Sequence, residues 1–193
     1  MEEIRKRAEE GQAYAQFELG QYYDFGRGVP QDFLQAKIWY QKAADQGFAK
    51  AQYNLAMLYQ HGRGVPQDYQ KALTYYRLAA EQHDPWALNN IGFLYAHGKG
   101  VEQNPEEALA WYRKAATFGH FEAQYNLGAR YAGGQGVEVD LVEAHYWFSR
   151  ALIGSSALQQ ERSKKIISQL EEVMHPDAIQ EAQKKLMVEL GEA

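Results

Sequence analysis

Apolar and polar positions along this chain repeat on two scales. On the short scale, Ala15, Leu19 and Tyr23 fall at i, i+4 and i+8, the apolar stripe of one helix. Ala36, Tyr40, Ala43 and Ala44, with Trp39 beside them, form the stripe of a second helix. On the long scale both stripes return every 36 residues. "AYAQFELGQYY" from Ala13 aligns with "AKAQYNLAMLY" from Ala49, "PWALNNIGFLY" from Pro85 and "FEAQYNLGARY" from Phe121. The second halves, from Ala36, Ala72, Ala108 and Ala144, align as well, so residues 13–48, 49–84, 85–120 and 121–156 are four full repeats.

Each column has a physical task. Leu19, Leu55, Ile91 and Leu127 share one core position, and Tyr23, Tyr59, Tyr95 and Tyr131 share another. The column Gly20, Ala56, Gly92, Gly128 is always small, which marks a close helix–helix crossing. "GRGVPQD" stands at 26–32 and again at 62–68. Its first glycine, with Gly98 and Gly134, reads as a helix C-cap at positive φ; the second turns the chain, and Val29 tucks into the core. Asn104, Pro105, Glu106 and Glu107 read as N-cap, first helical residue and acidic first turn, and Asp32, Asp68 and Asp140 share the cap column. Each repeat is therefore helix A, a two-glycine loop, helix B and a short turn.

These residues resemble the Sel-one-like repeat (SLR) family, 36-residue relatives of the tetratricopeptide repeat: A-x-A-Q-x-x-L-G-x-x-Y-x-x-G-x-G-V, then D-x-x-x-A-x-x-W-Y-x-x-A-A-x-x-G. Departures are Pro85, Leu88, His83 and the "ALIGSS" that closes repeat four. The resemblance implies an all-α fold, a right-handed α/α superhelical solenoid of helix-turn-helix repeats. Residues 1–12 match the second half of a helix B, with Ala8 on the Ala44 column, and form an N-terminal half-repeat cap. Residues 157–193 form a C-terminal capping helix pair. Leu158, Ile166, Ile167, Leu170, Val173 and Met174 are expected on one side of its first helix. Ile179, Ala182, Leu186 and Leu190 are expected inward on its second. The whole of 1–193 is taken as one repeat domain.

Composition narrows the function. Net charge is −5, which argues against a nucleic-acid partner and supplies no polybasic membrane anchor. No run is long and apolar enough to insert in a bilayer. There is no cysteine, so thiolate chemistry and disulfides are excluded. The expected location is cytoplasmic as written, with periplasm or secretion open if a leader was removed.

Candidate chemistry is thin. "GRGVPQD" lacks the lysine–hydroxyl pair of a phosphate loop and the third glycine of a dinucleotide fingerprint. The histidines, His61, His83, His97, His120, His145 and His175, give no i, i+4 pair, so no metal site is expected. The resemblance raises a β-lactam or cell-wall hydrolase, but Ser149, Ser155, Ser156, Ser163 and Ser168 all lack S-x-x-K spacing. No catalytic residue and no cofactor is expected, and the chain is read as a non-enzyme.

Binding is expected on the A helices, whose wall the tetratricopeptide resemblance makes concave. Positions 14, 18, 21 and 25 of the first repeat, and their equivalents, vary while the core columns hold still. They supply Tyr14, Glu18, Lys50, Asn54, Met57, Trp86, Asn90, Phe93, His97 and Asn126, with Arg130 beside them as a second cation after Lys50. Asn54, Asn90 and Asn126 have two readings: carboxamides for a peptide backbone, or bonds between neighbouring helices. Trp86 likewise either anchors a partner or covers a core edge where Pro85 disturbs helix A. The leading expectation is a protein or peptide interaction module; the alternatives are an immunity-type inhibitor of an effector enzyme and the hydrolase.

Overall fold

The computed structural model describes residues Met1–Gly191, and every regular element among them is an α-helix. The last two positions of the expected C-terminal cap, Glu192 and Ala193, lie outside the described residues. Packing groups the chain into two compact units, Met1–Gln103 and Asn104–Ala193.

The first unit holds α1 (Glu2–Glu9), α2 (Ala13–Phe25), α3 (Phe33–Asp45), α4 (Ala49–His61), α5 (Tyr69–Ala80) and α6 (Pro85–His97). The A helices α2, α4 and α6 end where expected: Gly26, Gly62 and Gly98 take φ of 66°, 65° and 62°. The B helices start on Asp32, which accepts from the Leu34 and Gln35 amides, and on Asp68, which accepts from that of Lys71. Helix α6 corrects one expectation. Pro85 does not disturb it but opens it, behind an Asp84 side chain that accepts from the Ala87 amide. A first-turn proline forfeits only an N–H that has no helical partner, and its fixed φ suits the position.

Packing follows from the small column. Tyr40 of α3 is fully buried, and a Cβ added to Gly20 would come within 2.5 Å of its ring. In this unit α2 packs on α3 and α4 on α5, and α1, α3 and α5 each pack on the A helix that follows. The second loop glycine also does more than turn the chain. A Cβ on Gly64 (φ +67°) would lie 2.6 Å from the Phe33 carbonyl carbon, and one on Gly100 (φ +73°) 2.7 Å from that of Tyr69. The loop is thus pressed against the start of the preceding repeat's B helix.

Side-chain hydrogen bonds recur at these joints. Gln16 Nε2 donates to the Ala8 carbonyl and Gln52 Nε2 to that of Ala44, in each case eight residues back. Gln46 and Gln82 close the same corner by donating to Gln16 and Gln52 and to the Gly11 and Gly47 carbonyls. Arg5 donates to the Tyr23 hydroxyl and Arg77 to that of Tyr95.

The second unit holds α7 (Pro105–Thr117), α8 (Phe121–Gly133), α9 (Leu141–Arg150), α10 (Ala157–Glu171) and α11 (Pro176–Leu190). Asn104 and Asp140 cap α7 and α9 as expected. Gln124 keeps the bond to the carbonyl eight back, and so does Gln160, which donates to Leu152 O. Helix α10 is therefore a degenerate fifth A helix, with Ser163 in the buried leucine column.

This register explains what the sequence pattern misplaced. Leu170, Met174 and Ala182 are buried, and Ile166, Ile167, Ile179 and Leu186 are half-buried. Leu158 is 77% exposed because it falls in the Tyr14 column, outside the core stripe. Val173 is 72% exposed because it lies past the helix end, where helical phase no longer applies. Leu190, in the last turn of α11, is exposed as well. Helix α11 packs on α9, where Glu189 accepts from Tyr146 and Arg150, and Lys185 pairs with Glu143.

Two outcomes follow from this packing. Gly28 and Gly100 share a positive φ, but a Cβ on Gly28 meets nothing within 4 Å. Gly28→Ala should therefore cost about 1 kcal/mol of unfolding free energy, and Gly100→Ala at least about 2 kcal/mol more, because backbone must shift. Equal losses in denaturant titrations would contradict the joint contact.

Burial pushes the His120 imidazole, N-cap of α8, down to about 4. Below its ordinary value of 6.5 the unfolded chain binds a proton that the folded chain refuses, so stability falls with pH from there toward 4. His120→Asn keeps a cap acceptor and removes the titration. Between about pH 7 and pH 5 its unfolding free energy should gain about 1–2 kcal/mol relative to the parent; a constant gap would refute this.

Candidate functional site

In the first unit the expected wall residues divide by exposure. Tyr14 and Trp86, in one column of α2 and α6, are 54% and 56% exposed, and Lys50 between them in register is exposed too. The Tyr14 hydroxyl donates to Glu18 Oε1 at 3.2 Å, and its ring meets Phe48 edge-on at 6.2 Å. Met57 and Phe93 are half-buried, and His97 is exposed, its ring 4.3 Å from that of Phe93 and its Nδ1 2.9 Å from the Phe93 carbonyl. Lys50 lies close enough to Asp84 to lower its pKa, but burial is the larger effect and raises the Asp84 carboxyl overall.

Asn54 and Asn90 are committed to the joints. Asn90 Nδ2 donates to the Tyr76 hydroxyl at 3.0 Å, and that hydroxyl lies 3.0 Å from both Gln60 Oε1 and Met57 Sδ. Asn54 lies close enough to Tyr40 to favour its ionised form, and the Tyr40 hydroxyl donates to Asp24 Oδ2 at 3.0 Å. Burial drives both tyrosines far above their usual range and raises the Asp24 carboxyl. Each Asn follows its tyrosine by 14 residues, and Asn126 follows Tyr112 at the same spacing. Where the earlier residue has no hydroxyl the column changes: Glu18 follows Ile4, and Arg162 follows Phe148. An asparagine occurs where a buried phenol needs a donor, which favours the helix-bonding reading for Asn54 and Asn90.

In the second unit Asn126 is half-buried. Arg130, expected as a wall cation, is only 8% exposed; its guanidinium lies 5.1 Å over the Tyr112 ring, where its charge favours the ionised phenol. It stands in the buried column of Leu58 and Leu94, so its charge serves the core hydroxyl rather than a bound carboxylate.

The wall pattern missed one column. Arg27, Arg63 and Lys99 stand between the loop glycines, where they read as punctuation. Arg27 lies 4.8 Å over Phe25 and Arg63 5.8 Å over Phe33, while Lys99 sits 5.0 Å from the Phe93 ring and 5.4 Å from that of Tyr69. The signal available in the sequence was the recurrence itself, "GRG", "GRG", "GKG".

Possible chemistry is limited. Among the described residues no group of three or more His, Cys, Asp or Glu is placed to hold a metal ion. One serine–histidine–carboxylate chain exists: Ser149 Oγ is 3.4 Å from His145 Nδ1, and His145 Nε2 is 3.0 Å from Glu171 Oε1. Ser149 lies inside the last turn of α9, where the backbone N–H groups are spent on the helix, so they offer no oxyanion donors there. The chain of contacts fastens α10 to α9.

Comparison with known proteins bears on the repeats directly. Residues 13–48, 49–84, 87–120 and 121–152 each match the Sel1 repeat. The chain belongs to the Sel1 repeat family. A Sel1 repeat protein from Oxalobacter formigenes is 34% identical, with a TM-score of 0.81 over 94% of this chain and 75% of that one. The protein c5321, described as a protective antigen of uropathogenic Escherichia coli with an SLR fold, is 31% identical at a TM-score of 0.52. That match covers 98% of this chain and 48% of c5321, so this chain spans about half of it. Immunity protein Pa5087 from Pseudomonas aeruginosa, 23% identical with a TM-score of 0.53 over 86% of this chain and 70% of its own, shares the fold. A comparison with curated proteins gave no match. Sel1 repeats are in general protein-interaction modules and typically non-catalytic scaffolds. Among the described residues no helix is long and apolar enough to cross a membrane.

The joint assigned to Asn90 is open to measurement. Asn90→Ala and Tyr76→Phe should each destabilise the protein, and in a double-mutant cycle they should couple by about 1 kcal/mol. Additive losses in urea titrations would show that the carboxamide is not spent on Tyr76.

Proposed function

We propose that this Sel1 repeat chain is a non-enzymatic adaptor that binds a protein or peptide partner on the A-helix face of residues 13–103, the wall that a tetratricopeptide-like stack makes concave. The observation that carries the reading is Trp86: a large aromatic side chain, 56% exposed, in the register of exposed Tyr14 and Lys50 and on the same helix as half-buried Phe93. Aromatic side chains of this kind supply much of the energy of protein contacts, at low conformational cost. The asparagines support the wall from beneath by tying the tyrosines that hold neighbouring repeats together. A second reading, inhibition of an effector enzyme, takes its support from the fold shared with immunity protein Pa5087. It would use a binding face of the same kind.

Trp86→Ala combined with Tyr14→Ala tests the adaptor reading. Both side chains are more than half exposed, so unfolding free energy should change by less than about 0.5 kcal/mol each. Affinity for peptides selected on the parent protein should drop about tenfold or more, read by biolayer interferometry. Undiminished affinity would move the partner site off this face.

A further inference from the structure

The row Arg27, Arg63, Lys99 is not accounted for by folding. Each cation rests on an aromatic face, and among the described residues none of the three joins an ion pair. A ring under a guanidinium covers its flat face and leaves the N–H edge free, which is the edge that grips a carboxylate with two parallel bonds. Arg27 and Arg63 are exposed, and Lys99 is half-buried between its two rings.

The row follows the joints of the first unit. Arg63 stands over Phe33, at the start of the preceding repeat's B helix, and Lys99 over Tyr69, at the same place one repeat on. Arg63 and Lys99 both act on His61, whose pKa is lowered first by burial and then by these two charges. The carboxylates at hand are engaged: Asp24 accepts from Tyr40 and Glu18 from Tyr14. Beside Lys99 lies the ring of Phe93, half-buried apolar ground on α6. A local surplus of positive charge in a chain of net charge −5 asks for a complementary partner.

We propose that Arg27, Arg63 and Lys99 form the docking row for an acidic, extended protein segment, with its carboxylates on these cations and an apolar side chain on Phe93. This rests on the A-helix-face reading and names the partner's chemistry. A nucleic acid fits less well, because its dense, unbroken negative charge would face the net negative remainder of the chain.

The probe is a phage-displayed library of random dodecapeptides selected on the intact protein, with the enriched peptides synthesised and measured by fluorescence anisotropy. The expected result is enrichment of peptides with net negative charge. Arg27→Gln, Arg63→Gln and Lys99→Gln together should weaken their binding about tenfold or more, while circular dichroism melts show the variant folded. Binding should also fall steeply between about 50 and 300 mM NaCl. Enriched peptides that are neutral or basic, yet lose affinity with Trp86→Ala and Tyr14→Ala, would overturn the acidic-partner proposal and leave the adaptor reading standing. Acidic peptides indifferent to the triple variant would overturn it too. An oligothymidylate bound more tightly than the peptides would replace it with a nucleic-acid partner. No enrichment over a blank surface would overturn both.

Discussion

The architecture depends on a phenol ring laid against bare helix backbone. Tyr40 lies on α2 where Gly20 leaves no side chain, and Phe148 lies on α8 at Gly128 in the same way, within 2.8 Å of where a Cβ would stand. A ring this large lies this close only where the facing helix offers little or no side chain, glycine here and Ala56 in the register of fully buried Tyr76, and a helical glycine costs about 1 kcal/mol of propensity. Burying most of an aromatic ring outweighs that several times over. The choice has a consequence: a buried tyrosine carries a hydroxyl that must be bonded.

Much of the polar chemistry of the molecule answers that demand. Asp24 serves Tyr40, with Asn54 close by, while Gln60 and Asn90 serve Tyr76. Arg130 serves Tyr112, and Phe148, with no hydroxyl, asks for nothing. The hydroxyls of the A-helix tyrosines are met from the other side by Arg5, Arg77 and Arg113. Because the donors come from a neighbouring repeat, satisfying these groups also fixes how one repeat sits on the next. Repeats that bury little alone gain their stability at such joints.

Apart from these tyrosine joints stand Tyr14, Lys50 and Trp86, all exposed on the A helices, and the row of cations beside the loop glycines. Sel1 repeats are in general protein-interaction modules, and exposed aromatic and charged area suits that work.

The sequence by itself determined the period, the helix ends and the core columns. The helix bounds of all four repeats follow from caps and stripes, because these are local and recur at a fixed interval. It left open residues whose role depends on a neighbour at long range. Asn54 and Asn90 carried two readings and Arg130 read as a wall cation because they share one helical register, yet each lies beside a tyrosine of another helix, 14 to 18 residues away in the chain. Leu158 looked like core because periodicity does not say which side of a helix the rest of the protein will cover. Only the tertiary structure decided which polar groups were spent inside the fold, since a hydrogen bond across a joint leaves no mark in the spacing of a single helix.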